Sequence, residues 1–304
     1  MPNHLKFGPP CISVDVEDWP QSSWDRALPI SPRAADNTRR VLNLLDEAGV
    51  RATMFVLGKF AEKYPNMVRE IHNAGHEVAC HGYGHEEIFK QSKQAFREDI
   101  RRSKGLIEQA IGQRVVGYRA PDFSVVPQTL WALGVLAGEG FSYDSSIFPV
   151  RNRRYGIPGW PTEPIRVVLP SNITIHELPI ATFRGPGGNW PVGGGGYHRL
   201  LPSPMIRYFA RRTLNVAPFV FYCHPYEFDS RELKEIPLKL PLRTRLHQGL
   251  GRRRFGHRFR KFLDEFGGRK MIDLLSSNTW KTINLSELVP GFQLNSIEPV
   301  AEMP

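Results

Sequence analysis

Four short clusters of polar residues each follow an apolar run, and their side chains are of the kinds that bind metal ions and move protons. Asp15, Glu17 and Asp18 follow Cys11-Ile12-Ser13-Val14, and His81 and His85 follow Glu77-Val78-Ala79-Cys80. Arg119 follows Val115-Val116-Gly117-Tyr118, and His224 follows Phe219-Val220-Phe221-Tyr222-Cys223. Three carboxylates within four residues repel one another when buried, and a cation relieves that repulsion. Neutral imidazole suits zinc and other first-row metals, and two histidines with one carboxylate leave coordination positions open for water. The i, i+4 spacing of His81 and His85 would suit one face of a helix. Gly82 and Gly84 between them argue instead for a loop that folds both rings onto one ion. Arg119 at a strand end is suited to hold a carboxylate bidentately, and Asp144, in Tyr143-Asp144-Ser145-Ser146, is a candidate to orient the His224 ring. Together these residues predict a hydrolase that activates water on a metal.

The elements that must position them alternate along the first half. Strands are predicted at Ile12–Asp15, Ala52–Leu57, Glu77–Cys80, Arg114–Tyr118 and Phe141–Tyr143. Helices are predicted at Pro32–Glu47, Phe60–Ala74, Gln94–Ile111 and Pro127–Ala137. That order implies a parallel sheet, open or closed, with its chemistry at the strand C-termini. Val150 to Pro170 reads as loop, Ile173–Pro179 as a strand, and Phe183–Tyr197, with seven glycines, as one long loop. A helix at Pro204–Asn215 and a last strand at Pro218–Cys223 follow. Residues 1–228 are read as one domain, and 229–304 as a basic, mainly helical extension packed on it.

Composition narrows the partners. The chain has 304 residues, a net charge of +10 and three cysteines. Its first ten residues lack the apolar core of a signal peptide, so the expected location is cytoplasmic, with membrane association as the variant. Cys11, Cys80 and Cys223 read as small buried strand residues. Arg243 to Lys270 carries ten cations against Asp264 and Glu265. Such a stretch is either a solvated helix face or a docking site for an anionic membrane surface or acidic glycan. No nucleic-acid-binding motif accompanies it. Nothing in the sequence fixes an oligomeric state.

Taken together and in this order, the clusters resemble the polysaccharide deacetylases of the NodB-homology class, carbohydrate esterase family 4. Asp15-Val16-Glu17-Asp18 is similar to that family's acidic motif, His81-Gly82-Tyr83-Gly84-His85 to its His-(Ser/Thr)-x-x-His motif, Arg119-Ala120-Pro121 to its Arg-x-Pro, and His224 to its late histidine. The resemblance spans about residues 11 to 226, and the wording looks most like a branch associated with exopolysaccharide and exosortase systems. Val16 intervenes in the acidic motif, so either Glu17 or Asp18 is the metal carboxylate, and Gly82 stands where the family has a hydroxyl.

The resemblance implies an irregular (β/α) barrel of about seven strands with an α-helical C-terminal extension. It implies hydrolysis of sugar acetamides with a divalent metal, zinc first and cobalt, nickel, iron or manganese as alternatives. Glu17 or Asp18, His81 and His85 would be ligands. Asp15 would be the base, held by Arg119, and His224 the acid, supported by Asp144. A backbone N–H near Asp122 or Phe123 would assist the oxyanion. Trp19, Trp24, Trp160, Trp190 and Tyr197 are aromatic candidates for sugar contact. Trp19 and Tyr197 are favoured by their loop positions, with Pro121 beside them, and Gly193–Gly196 would let backbone approach a glycan or form a lid. The substrate would be an N-acetylated glycan. Alternatives are deacylation or deformylation of a nucleotide- or lipid-linked sugar, glycan binding without turnover, and a membrane-surface scaffold.

Overall fold

The computed structural model describes residues 5–289 other than 153, 277 and 278. The last residues of the expected extension, 290–304, lie outside these. The first half builds strands β1 (Cys11–Val16), β2 (Thr53–Val56), β3 (Glu77–Cys80), β4 (Gly117–Tyr118) and β5 (Tyr143–Asp144). Between and beside them run helices α1 (Pro32–Glu47), α2 (Gly58–Lys63), α3 (Pro65–Asn73), α4 (Lys93–Ile111) and α5 (Trp131–Gly138). The second half adds β6 (Ile165–Val168), β7 (Thr174–Glu177), β8 (Thr182–Gly185), β9 (Gly188–Pro191), α6 (Gly195–Leu200), α7 (Ser203–Leu214) and β10 (Val220–Cys223). Then come α8 (Glu232–Glu235), α9 (Leu242–Gly249), α10 (Arg252–Phe266), α11 (Met271–Ser276), β11 (Lys281–Asn284) and α12 (Leu285–Leu288).

Local chemistry explains the better-read elements. In α4 the Ser92 side chain caps the Ala95 N–H, and Gly112 ends the helix in the left-handed conformation. Its buried residues Phe96, Ile100, Ser103, Ile107 and Ala110 recur every three or four positions, the stripe an amphipathic helix lays on a sheet. Burying each of the large apolar ones stabilises by roughly 1.5–3 kcal/mol. β1 is buried along its whole length because it is flanked by parallel neighbours on both edges.

Seven strands run parallel in the order β10-β1-β2-β3-β4-β5-β7, and β6 and β11 extend that sheet beyond β7, β6 being antiparallel to it. The number of strands in the expected barrel is present, but the ladder does not close between β7 and β10. Single main-chain bonds span the gap: Ala181 N–H donates to Val220 O at 3.0 Å, and Tyr222 N–H to Gly193 O at 2.8 Å. Close approach there requires glycine, since a Cβ on Gly193 would lie 2.5 Å from Val220 O. Gly193, Gly194 and Gly195 are therefore packed against β10 and the segment after it, whereas Gly196 has open space beside it.

Three other expectations are corrected. The single helix over 60–74 is two, broken at Tyr64 because the residue before a proline avoids helical backbone. The loop over 150–170 contains β6, which pairs with β7. The loop over 183–197 contains a hairpin, β8–β9, turned by Pro186-Gly187 with Gly187 at φ +78°.

The residues after Asp229 share the main core. Phe255, Phe259, Phe262 and Phe266 of α10 belong to the same buried cluster as β1 and β2, with the Phe259 and Phe221 rings stacked at 5.1 Å. Several cations of the basic stretch are internal struts. Arg269 donates to Phe7 O at 2.6 Å and Arg258 to Arg199 O at 2.8 Å. Arg252 donates to Tyr226 O at 2.8 Å and to Glu232 at 2.6 Å, with both charged side chains 1% exposed. Burial pushes the Glu232 carboxyl up to about 7 against the pull of Arg252. Arg252→Met should therefore destabilise the chain by about 3–5 kcal/mol by leaving Glu232 buried alone, and adding Glu232→Leu should recover most of the loss. Urea unfolding of both variants measures this, and equal stability of the single and double variants would contradict it.

Candidate metal centre and active site

The strand ends deliver the chemistry by alternation. Asp15 and Glu17 lie two residues apart at the end of β1, so they share a face, whereas Val16 and Asp18 face the other way. Asp15 and Glu17 are each 2% exposed. Asp18 accepts hydrogen bonds from the Ser31 N–H at 2.6 Å and the Ser31 hydroxyl at 2.9 Å, which ties the chain into the start of α1. Burial raises its pKa in spite of those bonds. Of the two candidate carboxylate ligands, only Glu17 faces the histidines.

His81 directly follows β3 and His85 ends the loop beyond it. Gly82, at φ +73°, makes the turn between them, and the Asp99 carboxylate accepts the Tyr83 N–H at 2.8 Å. Asp99 thus anchors a loop that lacks the family's hydroxyl at position 82. His85 takes φ +63°, unusual for a side-chain-bearing residue. Its carbonyl accepts from Arg26 Nε at 2.5 Å, and Gln21 Nε2 holds Gly84 O at 2.9 Å. The sequence does not mark Arg26 and Gln21 for this task, because a loop folding over another loop leaves no periodic signal.

Glu17 Oε2 is 2.7 Å from His85 Nε2 and 3.7 Å from His81 Nε2. Donor atoms from these three side chains all lie within 4.8 Å of one another. Despite the short contact, Glu17 Oε2 and His85 Nδ1 are buried without a hydrogen-bond partner of acceptable geometry. Glu17 Oε2 is thus a buried, orphaned acceptor beside two imidazole rings, an atom that a cation would satisfy. His81 Nδ1 lies 2.9 Å from Arg119 O, the bond that presents Nε2 to the centre. The residues present fit a divalent metal. Burial opposes the Glu17 charge, but His85 and His224 hold its pKa well below the usual range. Burial likewise disfavours a charged His85, and the Glu17 carboxylate more than reverses that.

Arg119, fully buried, donates from Nη1 to Asp15 Oδ1 at 2.7 Å and to Ser13 Oγ at 2.8 Å. Its Nε and Nη2 bond the Ser145 carbonyl and hydroxyl, each at 3.0 Å. The ring of Phe55 lies 4.2 Å beneath the guanidinium. His224 closes the far side, with Nε2 3.6 Å from Glu17 Oε1 and 4.0 Å from Asp15 Oδ2.

One expected role changes hands. Asp144 does not support His224; it takes the Ser146 hydroxyl and sits opposite Glu177 across β5 and β7. Burial raises both carboxyls of that pair, which suits a shared proton. His224 is served by Glu227, which accepts the His224 N–H at 3.1 Å and lies 3.5 Å from Nδ1. Arg199 Nε donates to the other Glu227 oxygen at 2.9 Å. Burial lowers the His224 pKa, but Glu17 and Glu227 together raise it to about 9. An acid three residues after a strand-ending histidine is the signal in the sequence that marks Glu227.

The cavity above these groups encloses about 710 Å³ and is lined by Asp15, Glu17, His81, His85 and His224, with Trp24 and Tyr155 among its walls. Trp24 is 43% exposed and offers a ring face. Trp19 is instead buried against Tyr226, Leu233 and Leu240. Pro121 is buried against the turn at Gly82. Tyr197 is half-buried, its hydroxyl 3.3 Å from that of Tyr155. The Phe123 amide is committed to Ala120 O at 3.2 Å. Asp122 and Phe123 both hold positive φ at the cavity wall.

Residues 8–136 match the family described as Polysaccharide deacetylase, and residues 145–276 match one described as a domain of unknown function, DUF3473. The chain is 33% identical over 110 residues to the peptidoglycan deacetylase-like protein FGM2 of Gibberella zeae, covering 36% of this chain and 32% of that protein. It is 32% identical over 96 residues to a peptidoglycan-N-acetylglucosamine deacetylase of Bacillus cereus, covering 31% and 35%. The chain therefore spans about a third of the length of these curated relatives. A solved structure described as a probable polysaccharide deacetylase from Pseudomonas aeruginosa PAO1 superposes with a TM-score of 0.58 at 14% identity, over 88% of this chain and 89% of that one, a likeness of fold alone. The matched residues 8–136 contain the Glu17-His81-His85 donor set, Asp15 and Arg119, so it is this segment of the chain that matches the polysaccharide deacetylase family.

Proposed function

We propose that this chain hydrolyses the N-acetyl group of an amino sugar in a glycan or its precursor. The observation that carries the reading is a carboxylate pinned by a buried arginine beside a Glu-His-His donor set, with a histidine across from both. Glu17, His81 and His85 would hold a divalent cation, zinc being the first expectation from the donor types. When bound, that cation supplies Lewis-acid polarisation of the amide carbonyl and a lowered pKa for water.

The remaining work falls to protein groups. Arg119 occupies Oδ1 of Asp15 and fixes the carboxylate's orientation, which leaves Oδ2, the oxygen nearer His224, to take the proton of the attacking water. His224 gives its Nε2 proton to the departing amine as the C–N bond breaks, so acetate and a free amino sugar leave. Glu227 faces Nδ1 and stabilises the imidazolium, and Arg199 holds Glu227 in that orientation. Trp24 offers the sugar ring a stacking face.

Metal content and acetate release, measured on N-acetylated oligosaccharides and acetylated sugar nucleotides, test this directly. Wild type should bind about one metal per chain and release acetate. His81→Ala and Glu17→Gln should lose both, whereas Asp18→Asn should keep the metal. Asp15→Asn should keep the metal and lose about 10²–10⁴-fold in turnover. A wild-type protein that takes up no metal after reconstitution would overturn the reading and leave glycan binding in its place.

A second outcome concerns the support of His224. Arg199→Gln and Glu227→Gln should each lower kcat by about 10–100-fold with little change in KM or metal content. An unchanged kcat for both would remove Glu227 from the mechanism.

A further inference from the structure

α9 carries an apolar stripe that nothing in the described chain covers. Leu242, Leu246 and Leu250 follow at intervals of four and are 71%, 64% and 63% exposed, the largest exposures among the big apolar residues apart from Val216, also 64%. No residue of α9 is buried. At about 100° per residue Leu242 and Leu246 share one narrow face, with Arg243 on one flank and Arg245 on the other, and Leu250 follows directly at the helix C-cap. Thr244 and Gln248 point the opposite way and are half-buried. Arg243, Arg245, Arg253 and Arg254 are exposed, and none makes an ion pair among the described residues. Leucines in the middle with unpaired arginines at the sides is the cross-section of a helix lying in a lipid interface, where leucine enters the acyl boundary and arginine meets anionic headgroups. No helix among the described residues is long and apolar enough to cross a membrane, so contact by this route would be superficial.

The helix is held by one end. Arg199 Nη1 donates to Gln248 O and Leu250 O, each at 2.9 Å, and Arg252 Nε donates to Gln248 O at 2.8 Å. Two guanidinium groups at the negative end of a helix form a firm mount. That mount is on the rim of the active site: Gln248 lines the cavity, and Arg199 also bonds the Glu227 that faces His224.

We infer that α9 docks on an anionic lipid surface through Leu242, Leu246 and Leu250, with Arg243, Arg245, Arg253 and Arg254 contacting headgroups. The charge complementarity commits the face to lipid over a second copy of this chain, which would bring the same cations together. The docking stands apart from the deacetylase reading. Its consequence, that the cavity meets N-acetylated substrate carried at a lipid surface, rests on that reading.

Flotation of the full-length protein with vesicles of phosphatidylcholine alone, and of equimolar phosphatidylcholine and phosphatidylglycerol, tests the docking. The wild type should float with the anionic vesicles only, and high salt should release it. The double variant Leu242→Ser/Leu246→Ser should lose about tenfold or more in partitioning. Arg243→Gln/Arg245→Gln should lose a similar factor and become less sensitive to salt. Acetate release from a soluble oligosaccharide should be unchanged in the leucine variant, so failure of docking and failure of catalysis are read separately. Equal binding to neutral vesicles, or wild-type partitioning by the leucine variant, would overturn the inference. So would a concentration-dependent dimer that the leucine variant abolishes without any vesicle binding.

Discussion

Two buried carboxylates on one strand end impose the constraint that the rest of this structure answers. Asp15 and Glu17 are nearly inaccessible to solvent and share a face of β1. Two negative charges taken out of water side by side are costly unless opposite charges face them. The fold answers with cations from different strands. Arg119 from the end of β4 neutralises Asp15 at 2.7 Å, and the histidines after β3 face Glu17. His224 from the end of β10 stands near both carboxylates, so its own charge is tied to theirs. A parallel sheet suits this task because every C-terminus opens at the same edge, and β10, β1, β2, β3 and β4 are consecutive neighbours there.

The answer crosses the boundary between the two matched families. Asp15, Glu17, His81, His85 and Arg119 lie within residues 8–136, while His224, Glu227 and Arg199 lie within residues 145–276. The second segment therefore completes the polar ring as well as bracing it. Glycine at 195 allows the completion, since a Cβ there would lie 2.1 Å from Glu227 Oε2 and displace the carboxylate that serves His224. Gly195 is thus required by the active-site wall, a different reason from the close glycan approach that the run's composition suggests.

Much of this was legible in the sequence because strand-end chemistry leaves local marks. The parallel order of the first five strands, the histidine pair, Arg119 and His224 could all be read from apolar runs ending in polar residues. What escaped reading depends on contacts between distant segments. Trp19 looks like a loop aromatic until Leu233 and Leu240, more than two hundred residues on, are packed over it. β6 reads as loop because a strand of four residues has too short an alternation to register against the prolines and arginines around it. The choice between Glu17 and Asp18 was within reach: period-two alternation from Asp15 selects Glu17 once β1 is taken to persist through Val16.

The basic stretch shows why a charge count alone does not assign a role. Of its ten cations, Arg252, Arg258 and Arg269 are internal ties, and Arg260 pairs with Asp264 and Glu47. Only the remainder can act outward, and those on α9 flank the exposed leucines. Arg199 links this surface to the chemistry. Its Nε fixes Glu227 while its Nη1 fixes the carbonyls that end α9. One planar guanidinium cannot rotate to follow a moving helix without releasing the carboxylate at its other end. A force on α9 must therefore either break bonds at Arg199 or be felt at Glu227, so the helix at the surface and the support of the general acid are mechanically one unit.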